Sequence, residues 1–348
     1  MSAYGDPLVS ADENEDARLR SLLVGKQFSR SIQPAKQPPL LRFLGNTILS
    51  AQNASNIQGQ AKSAKSAVVG GIIAAIFNAS HESDDDRDTL GFTAEQAKGM
   101  VLHIDTEQAP ADHWQSVENM LKRAGYHGEP PAWFESWTLR EFSSKERRRM
   151  LDLLVQDGRE KHGSVHMVIL DGAADILPSG VNDELASESL VDDLCKLASR
   201  EHCGVLTIVH ENPGAMSAKV RGHLGSFMER KFESMVCVEK DAKNISTAFC
   251  LLGRHCFVPK DKGHCFTWDN AYGMHRSIGA AGDIKKASKD AKLKEQAKTY
   301  LSVPKPNSEI VKDIMGKEEV TIKTAQNWIK SWVNAEIVSK ESGIYALV

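Results

Sequence analysis

"NIQGQAKSAKSAVVGGIIAAIF", residues 56–77, is the stretch on which the fold turns. It reads as the end of a short strand, a turn rich in Lys and Ser, and an apolar helix. A phosphate-binding loop has this layout and the spacing G-x-x-x-x-G-K-[ST]. The turn wraps backbone N–H groups around phosphates, and the helix that follows aims its positive end at them. Counting from Gly59 places the lysine at Lys65 and the hydroxyl at Ser66, whereas the pair Lys62-Ser63 comes too early. The cradle is then Gly59, Gln60, Ala61, Lys62, Ser63, Ala64, Lys65 and Ser66. The second glycine is replaced by Ala64, and left-handed geometry at a non-glycine residue costs about 1 kcal/mol. That cost is small beside the binding of a nucleotide's phosphates, so the loop is altered and not abolished. The competing reading is a polar turn ahead of a core helix.

Three further segments favour the phosphate reading, because each ends an apolar run with polar residues at the tip of an expected parallel strand. "VLHIDTEQ" brings Asp105 and Glu107 to such a tip, Glu107 being suited to orient and deprotonate a water. "VHMVILDG" ends in Asp171, the form of a strand whose carboxylate holds magnesium. "VLTIVHENPG" ends in His210, Glu211 and Asn212, polar groups able to sense a terminal phosphate. Each alone is compatible with a strand cap; four in this order point to one site.

Between these segments the chain alternates strand and helix patterns. Helices are expected over 111–125, within 143–163 and over 184–203, and strands over 99–107, 165–172 and 204–214. The alternation predicts a mostly parallel sheet covered by helices on both faces. After residue 230 short alternating runs read as antiparallel strands finishing the sheet edge. Residues 1–34 are polar, and a Lys-rich helix-prone stretch at 281–302 separates the core at 35–280 from a tail at 303–348.

Composition is that of a soluble globular chain, with 348 residues, 41% hydrophobic, 26% charged and a net charge of −3. The longest apolar run, 67–77, is far short of the roughly 20 residues that span a bilayer, and the acidic N-terminus has no apolar signal core. A cytoplasmic protein without membrane contact is expected. The six cysteines form no C-x-x-C pair, which suggests reduced thiols. The repeated "HCF" at 255–257 and 264–266 fits packed strands better than zinc, whose structural ligands come in tighter knuckles. Residues 281–348 hold twelve Lys and no Arg against nine acidic residues, which hints at an anionic partner for the tail.

The order Gly-x4-Ala-Lys-Ser, "IDTEQ", "ILDG", "VHEN" and "RGHLGS" (221–226) resembles the RecA/DnaB-like P-loop ATPases, most closely the RepA-type hexameric helicases. "DGAADIL", "VND" and "RGHLGS" are similar to an AAA-family ATPase group carried by bacterial mobile elements. The resemblance covers about residues 35–275. It implies ATP and Mg2+ as ligands, Glu107 as catalytic base, and Lys65 and Ser66 on phosphate and metal, with Asp171 ordering the metal. It also implies His210 coupling the γ-phosphate to DNA-contacting segments that carry Arg221 and His223. A homo-oligomer, a hexamer with single-stranded DNA in its channel, is implied as well. A finger reaching the neighbouring subunit is sought in "RHCFVPKDKGHCF", at Lys260 and Lys262, with Arg254 as a further candidate. The chain departs from the family at Ala64 and in having His where RecA proper has Gln.

The tail, 307–348, reads as helix, turn, longer helix and two short strands around "KESG", with Ile322, Ala325, Trp328, Ile329 and Trp332 at helical spacing. It resembles a winged helix-turn-helix, whose second helix would offer Lys323, Gln326, Asn327 and Lys330 to duplex DNA. The alternative is a protein-interaction winged helix. The expected architecture is therefore α/β, a RecA-like P-loop NTPase core plus a small C-terminal winged helix. The expected function is an ATP-hydrolysing, DNA-associated helicase used in replication or mobilisation of a genetic element. Open beside it stand an ATP-switched DNA-binding regulator without unwinding activity and a nucleotide-binding scaffold with degraded catalysis.

Overall fold

The structure, a computed structural model, describes residues 11–80, 87–211 and 222–348. It divides into a short unit, residues 1–38, whose helix α1 spans Ala11–Leu23, and a large unit, residues 39–348.

The large unit opens with β1 (Pro39–Phe43), β2 (Asn46–Ser50) and β3 (Ala54–Gly59), then α2 (Lys65–Ser80), β4 (Phe92–Ala94) and β5 (Met100–Asp105). Next come α3 (Pro110–Arg123), β6 (Phe134–Thr138), α4 (Ser144–His162), β7 (Val165–Asp171), α5 (Glu184–Glu201), β8 (Gly204–His210) and α6 (Gly222–Lys231). The strands β9 (Ser234–Lys240), β10 (Ser246–Gly253), β11 (His264–Asp269) and β12 (Met274–Ala280) precede α7 (Ala281–Tyr300). The tail holds β13 (Lys305–Pro306), α8 (Asn307–Glu318), α9 (Ile322–Asn334), β14 (Val338–Glu341) and β15 (Ile344–Leu347).

One nine-stranded sheet organises the unit, in the order β12-β11-β10-β9-β3-β8-β7-β5-β6. From β9 to β6 all neighbours are parallel, and the pairings β9-β10, β10-β11 and β11-β12 are antiparallel. Sequence reasoning placed β9 among the antiparallel edge strands. The correction follows from α6, a crossover helix that carries the chain back over the sheet and so returns it parallel.

Strands β3, β5 and β7 are buried from end to end, as expected of central strands covered on both faces. Their alternate residues separate into two cores. Met167 and Ile169 of β7 pack with Ile72, Phe77 and Met120 of α2 and α3, while Val168 and Leu170 pack with Leu151, Leu190 and Phe227 of α4, α5 and α6. Helix ends are set locally. In α4 a capping box joins Ser143 and Glu146, and left-handed Gly163 ends the helix at φ 76°.

A second, three-stranded sheet of order β2-β1-β4 was not foreseen as separate. Buried Glu233 ties it to the start of β9, accepting from Ser50 N at 2.6 Å and Ser50 Oγ at 2.8 Å.

The tail builds a third core from Tyr300 of α7, Ile310 and Ile314 of α8, and Ala325, Ile329 and Trp332 of α9. Strands β14 and β15 pair antiparallel through Ser342 and Gly343, both at positive φ, and β13 adds to the far side of β15. Ile322, counted with the apolar stripe from sequence, is 55% exposed at the first turn of α9, and the buried positions of the stripe are Ala325, Ile329 and Trp332.

Candidate functional site

The loop between β3 and α2 lies at the C-terminal edge of the parallel sheet, where α/β proteins place ligands. Gly59 ends β3 against β9, and a Cβ built there would lie 2.4 Å from the Val238 carbonyl oxygen and 2.6 Å from Ser63 Oγ. Only glycine fits. Lys62 and Ala64 are both left-handed, at φ 63° and 71°, the alternation that turns consecutive N–H groups into one concavity. Ala64 thus adopts the glycine-like geometry anticipated from its position. Gln60, Ala61, Lys62 and Ser66 are exposed, whereas Ser63 is buried and its hydroxyl has no hydrogen-bond partner among the described residues.

Lys65 is folded back onto the loop and its strand. Its ammonium donates to Gly59 O at 2.9 Å and Gln60 O at 3.0 Å and meets His210 Nδ1 at 2.9 Å, so its three N–H groups are all in use. Since the lysine is the donor, Nδ1 of His210 accepts and the ring proton sits on Nε2. That nitrogen faces Glu107 Oε1 at 3.1 Å and Oε2 at 3.3 Å. A continuous chain Lys65–His210–Glu107 therefore links three of the four motifs. Lys62 is exposed and lines the mouth of the same recess, but Lys65 is the lysine bonded within the loop.

A recess of about 210 Å³ is bounded by Lys65, Ser66, Glu107, Asp171 and His210. Burial pushes the Asp171 carboxyl up to about 8, with the charges of Asp105 and Glu107 adding to it. His210 holds Glu107 below its ordinary value, and burial lowers Lys65 against the pull of Glu107, Asp171 and Glu211. Burial and then Glu239 push Glu211, beside the recess, up to about 7. The balance around one lysine is strongly negative. Hard oxygen donors at Ser66 and Asp171 together with this excess of carboxylate suit a divalent cation such as Mg2+. Against the same loop lies a wider cleft of about 350 Å³, walled by Gly70 of α2, Asn119 of α3, Lys240 of β9, Trp268 of β11 and His275 of β12.

Other expected residues lie apart from the recess. Lys260 and Lys262 form a short 3-10 turn, in which Lys260 pairs with Glu239 and lies 5.8 Å from the Phe249 ring centre. Lys262 is exposed and, among the described residues, makes no ion pair. Arg254 donates to Lys231 O at 3.0 Å. His223 is exposed at the first turn of α6, and Lys323, Gln326, Asn327 and Lys330 are all exposed on α9. Arg221 and Asn212 lie outside the described residues. The "HCF" repeats separate in space: Cys256 lies against Cys250, Cys265 meets Thr247 Oγ1 at 3.2 Å, and His264 meets Ser277 Oγ at 2.6 Å.

Sequence reasoning missed what stands behind Glu107. One oxygen of Asp105 accepts the N–H groups of Glu107 and Gln108 at 2.8 and 2.9 Å, and the other lies 3.5 Å from His113 Nδ1. The only available signal was the spacing of His103 and Asp105 two apart in an otherwise apolar strand.

A parallel sheet whose P-loop, acidic strand tip and second carboxylate meet in one recess defines a RecA-like P-loop ATPase. The family model described as "AAA domain" matches residues 19–216, more than half of the sequence, and the chain belongs to that family. No curated protein matches it. Among solved structures it is similar to a KaiC-like protein from the hyperthermophilic archaeon Pyrococcus horikoshii OT3. That match has 10% identity and a TM-score of 0.44, over 70% of this chain and 100% of the other. Among the described residues no helix is long and apolar enough to cross a membrane.

Proposed function

We propose that the protein is an ATP-driven, DNA-associated motor of the RepA-like hexameric helicase type, serving replication or mobilisation of a genetic element. The observation that carries this reading is the convergence of Lys65, Ser66, Glu107, Asp171 and His210 on one recess. The N–H groups of the 59–66 loop and the Lys65 ammonium hold the phosphates. Ser66 and Asp171 hold Mg2+, which when bound supplies charge neutralisation on the transferring phosphoryl group. Glu107 orients a water and takes its proton, and His210, lying between Lys65 and Glu107, senses whether the terminal phosphate is present. The cleft beside the loop offers Trp268 and His275 as ring surfaces for the base. In a homo-oligomer, Lys262 and Lys260, with Arg254, are the candidates for reaching a neighbour's nucleotide.

In this reading the core spans 35–280, α7 links it to a winged helix at 303–348, and the exposed Lys323, Gln326, Asn327 and Lys330 of α9 face duplex DNA. His223 and Arg221 are candidates for the single strand. The experiment is ATP turnover with and without single- and double-stranded DNA, paired with a strand-displacement assay. DNA-stimulated turnover with displacement is expected. Turnover without displacement transfers the protein to the class of ATP-switched DNA-binding regulators, and no turnover removes the motor reading.

A further inference from the structure

Behind the recess, on the face of the sheet covered by α3, four polar side chains form one buried chain. His103 and Asp105 project to that face from β5, Ser136 from the neighbouring β6, and His113 from α3. His103 and Asp105 are 1% exposed and His113 is 8% exposed. Ser136 Oγ lies 2.8 Å from His103 Nδ1 and 3.2 Å from His113 Nε2, and the two imidazoles stack with centres 5.8 Å apart. His113 Nδ1 then faces Asp105 Oδ2 at 3.5 Å, a buried electrostatic contact between two atoms that have no hydrogen-bond partner among the described residues.

Asp105 as a carboxylate only accepts, so the ring atom His113 presents to it is an N–H at Nδ1. The Ser136 hydroxyl, which can both donate and accept, bridges the two imidazoles. The other Asp105 oxygen takes both N–H groups of the turn at Glu107 and Gln108, a side-chain-to-backbone clamp two and three residues on. Thr138 Oγ1 pins the same turn by donating to Gln108 O at 3.1 Å.

We infer that Asp105 and His113 are positioning residues for ATP hydrolysis: His113, steadied by Ser136 and His103, fixes the Asp105 carboxylate, which sets the turn that aims Glu107 at the attacking water. The inference rests on the reading of Glu107 as the water-activating group. Without the anchor the Asp105 carboxylate is free to rotate, and a water-orienting group displaced by about 1 Å loses up to about 100-fold in rate while substrate contacts elsewhere persist.

The test is a double-mutant cycle on the full chain, with turnover at saturating ATP and Mg2+ and nucleotide Kd measured separately. His113→Leu and Asp105→Ala should each lower kcat by about 10- to 100-fold with Kd within about threefold. His113→Asn, which keeps an N–H donor near the Nδ1 position, should restore kcat to within about threefold of wild type. In a Glu107→Gln background His113→Leu should cost no more than about twofold, because the group it aims is already gone. If His113→Leu does not fold, Ser136→Ala interrupts the same chain at its hydroxyl and enters the cycle in its place. Wild-type kcat in these variants, or the same loss in both backgrounds, overturns the inference alone. Equal hydrolysis by wild type and Glu107→Gln overturns the reading of Glu107 and the inference with it.

Discussion

Replacing Glu107 by Gln separates binding from chemistry. The carboxylate is 42% exposed and accepts from His210 Nε2 at 3.1 and 3.3 Å, so this half-exposed hydrogen bond is worth about 1 kcal/mol or less. The Gln carbonyl oxygen still accepts the His210 proton. Loss of one negative charge also relieves repulsion with Asp105 and Asp171, which offsets part of the lost pairing. Fold stability should therefore change by no more than about 1 kcal/mol, and affinity for the anionic nucleotide should stay within a few fold or rise. Hydrolysis is another matter, because an amide cannot take the proton. A general base contributes about 100-fold or more, equivalent to about 2.7 kcal/mol of barrier. Thermal melting, a fluorescent-nucleotide titration and single-turnover hydrolysis read the three quantities independently. A variant that binds ATP and hydrolyses it at the wild-type rate refutes the catalytic assignment even with the fold intact.

Lys65→Ala should abolish nucleotide binding or turnover while Lys62→Ala retains most of both, measured by the same titration; equal loss in both would refute the register. Asp171→Asn should weaken nucleotide binding in the presence of Mg2+ much more than in its absence, seen by titrating the nucleotide with and without the metal. The double variant Lys323→Ala/Lys330→Ala should weaken duplex DNA binding and reduce the dependence of log Kd on log salt by about two, with basal hydrolysis unchanged; an unaltered salt slope would favour a protein-interaction role for the tail. Burial lowers His166 from its ordinary value to about 4, so the unfolded chain binds more protons between about 6.5 and 4. The stability this neutral imidazole maintains is complete above about 6.5 and declines as pH falls toward 4. His166→Gln should flatten that decline in thermal melts across the interval.

The recess was legible because its parts are short and local in sequence. The spacing from Gly59 to Lys65 is covalent, and Glu107, Asp171 and His210 each close an apolar run whose burial forces it to be a central strand. The clamp behind Glu107 was not legible, because its members come from two neighbouring strands and a helix and meet only once β5 pairs with β6. In α3 the residue that looks most apolar misleads: Trp114 is 62% exposed while His113 turns inward. The small sheet of β1, β2 and β4 hid for a related reason, since β4 is three residues long and joins β1 across 48 intervening residues. The direction of β9 depended on the crossover through α6, which no local pattern in "SMVCVEK" encodes.

The closed bonding of Lys65 has a consequence for which molecules can enter. Its three N–H groups already rest on two carbonyls and an imidazole, so a newcomer gains from this lysine only by outcompeting partners that are in place without any entropy of association. On the proposed reading, a nucleoside or monophosphate would bring too little negative charge near Lys65 to draw the ammonium away. A triphosphate accompanied by a divalent ion would bring concentrated charge and, in lifting Lys65 from His210, would also free the ring that faces Glu107. Admission and arming would then be one displacement, and partial ligands would meet a lysine with no reason to let go.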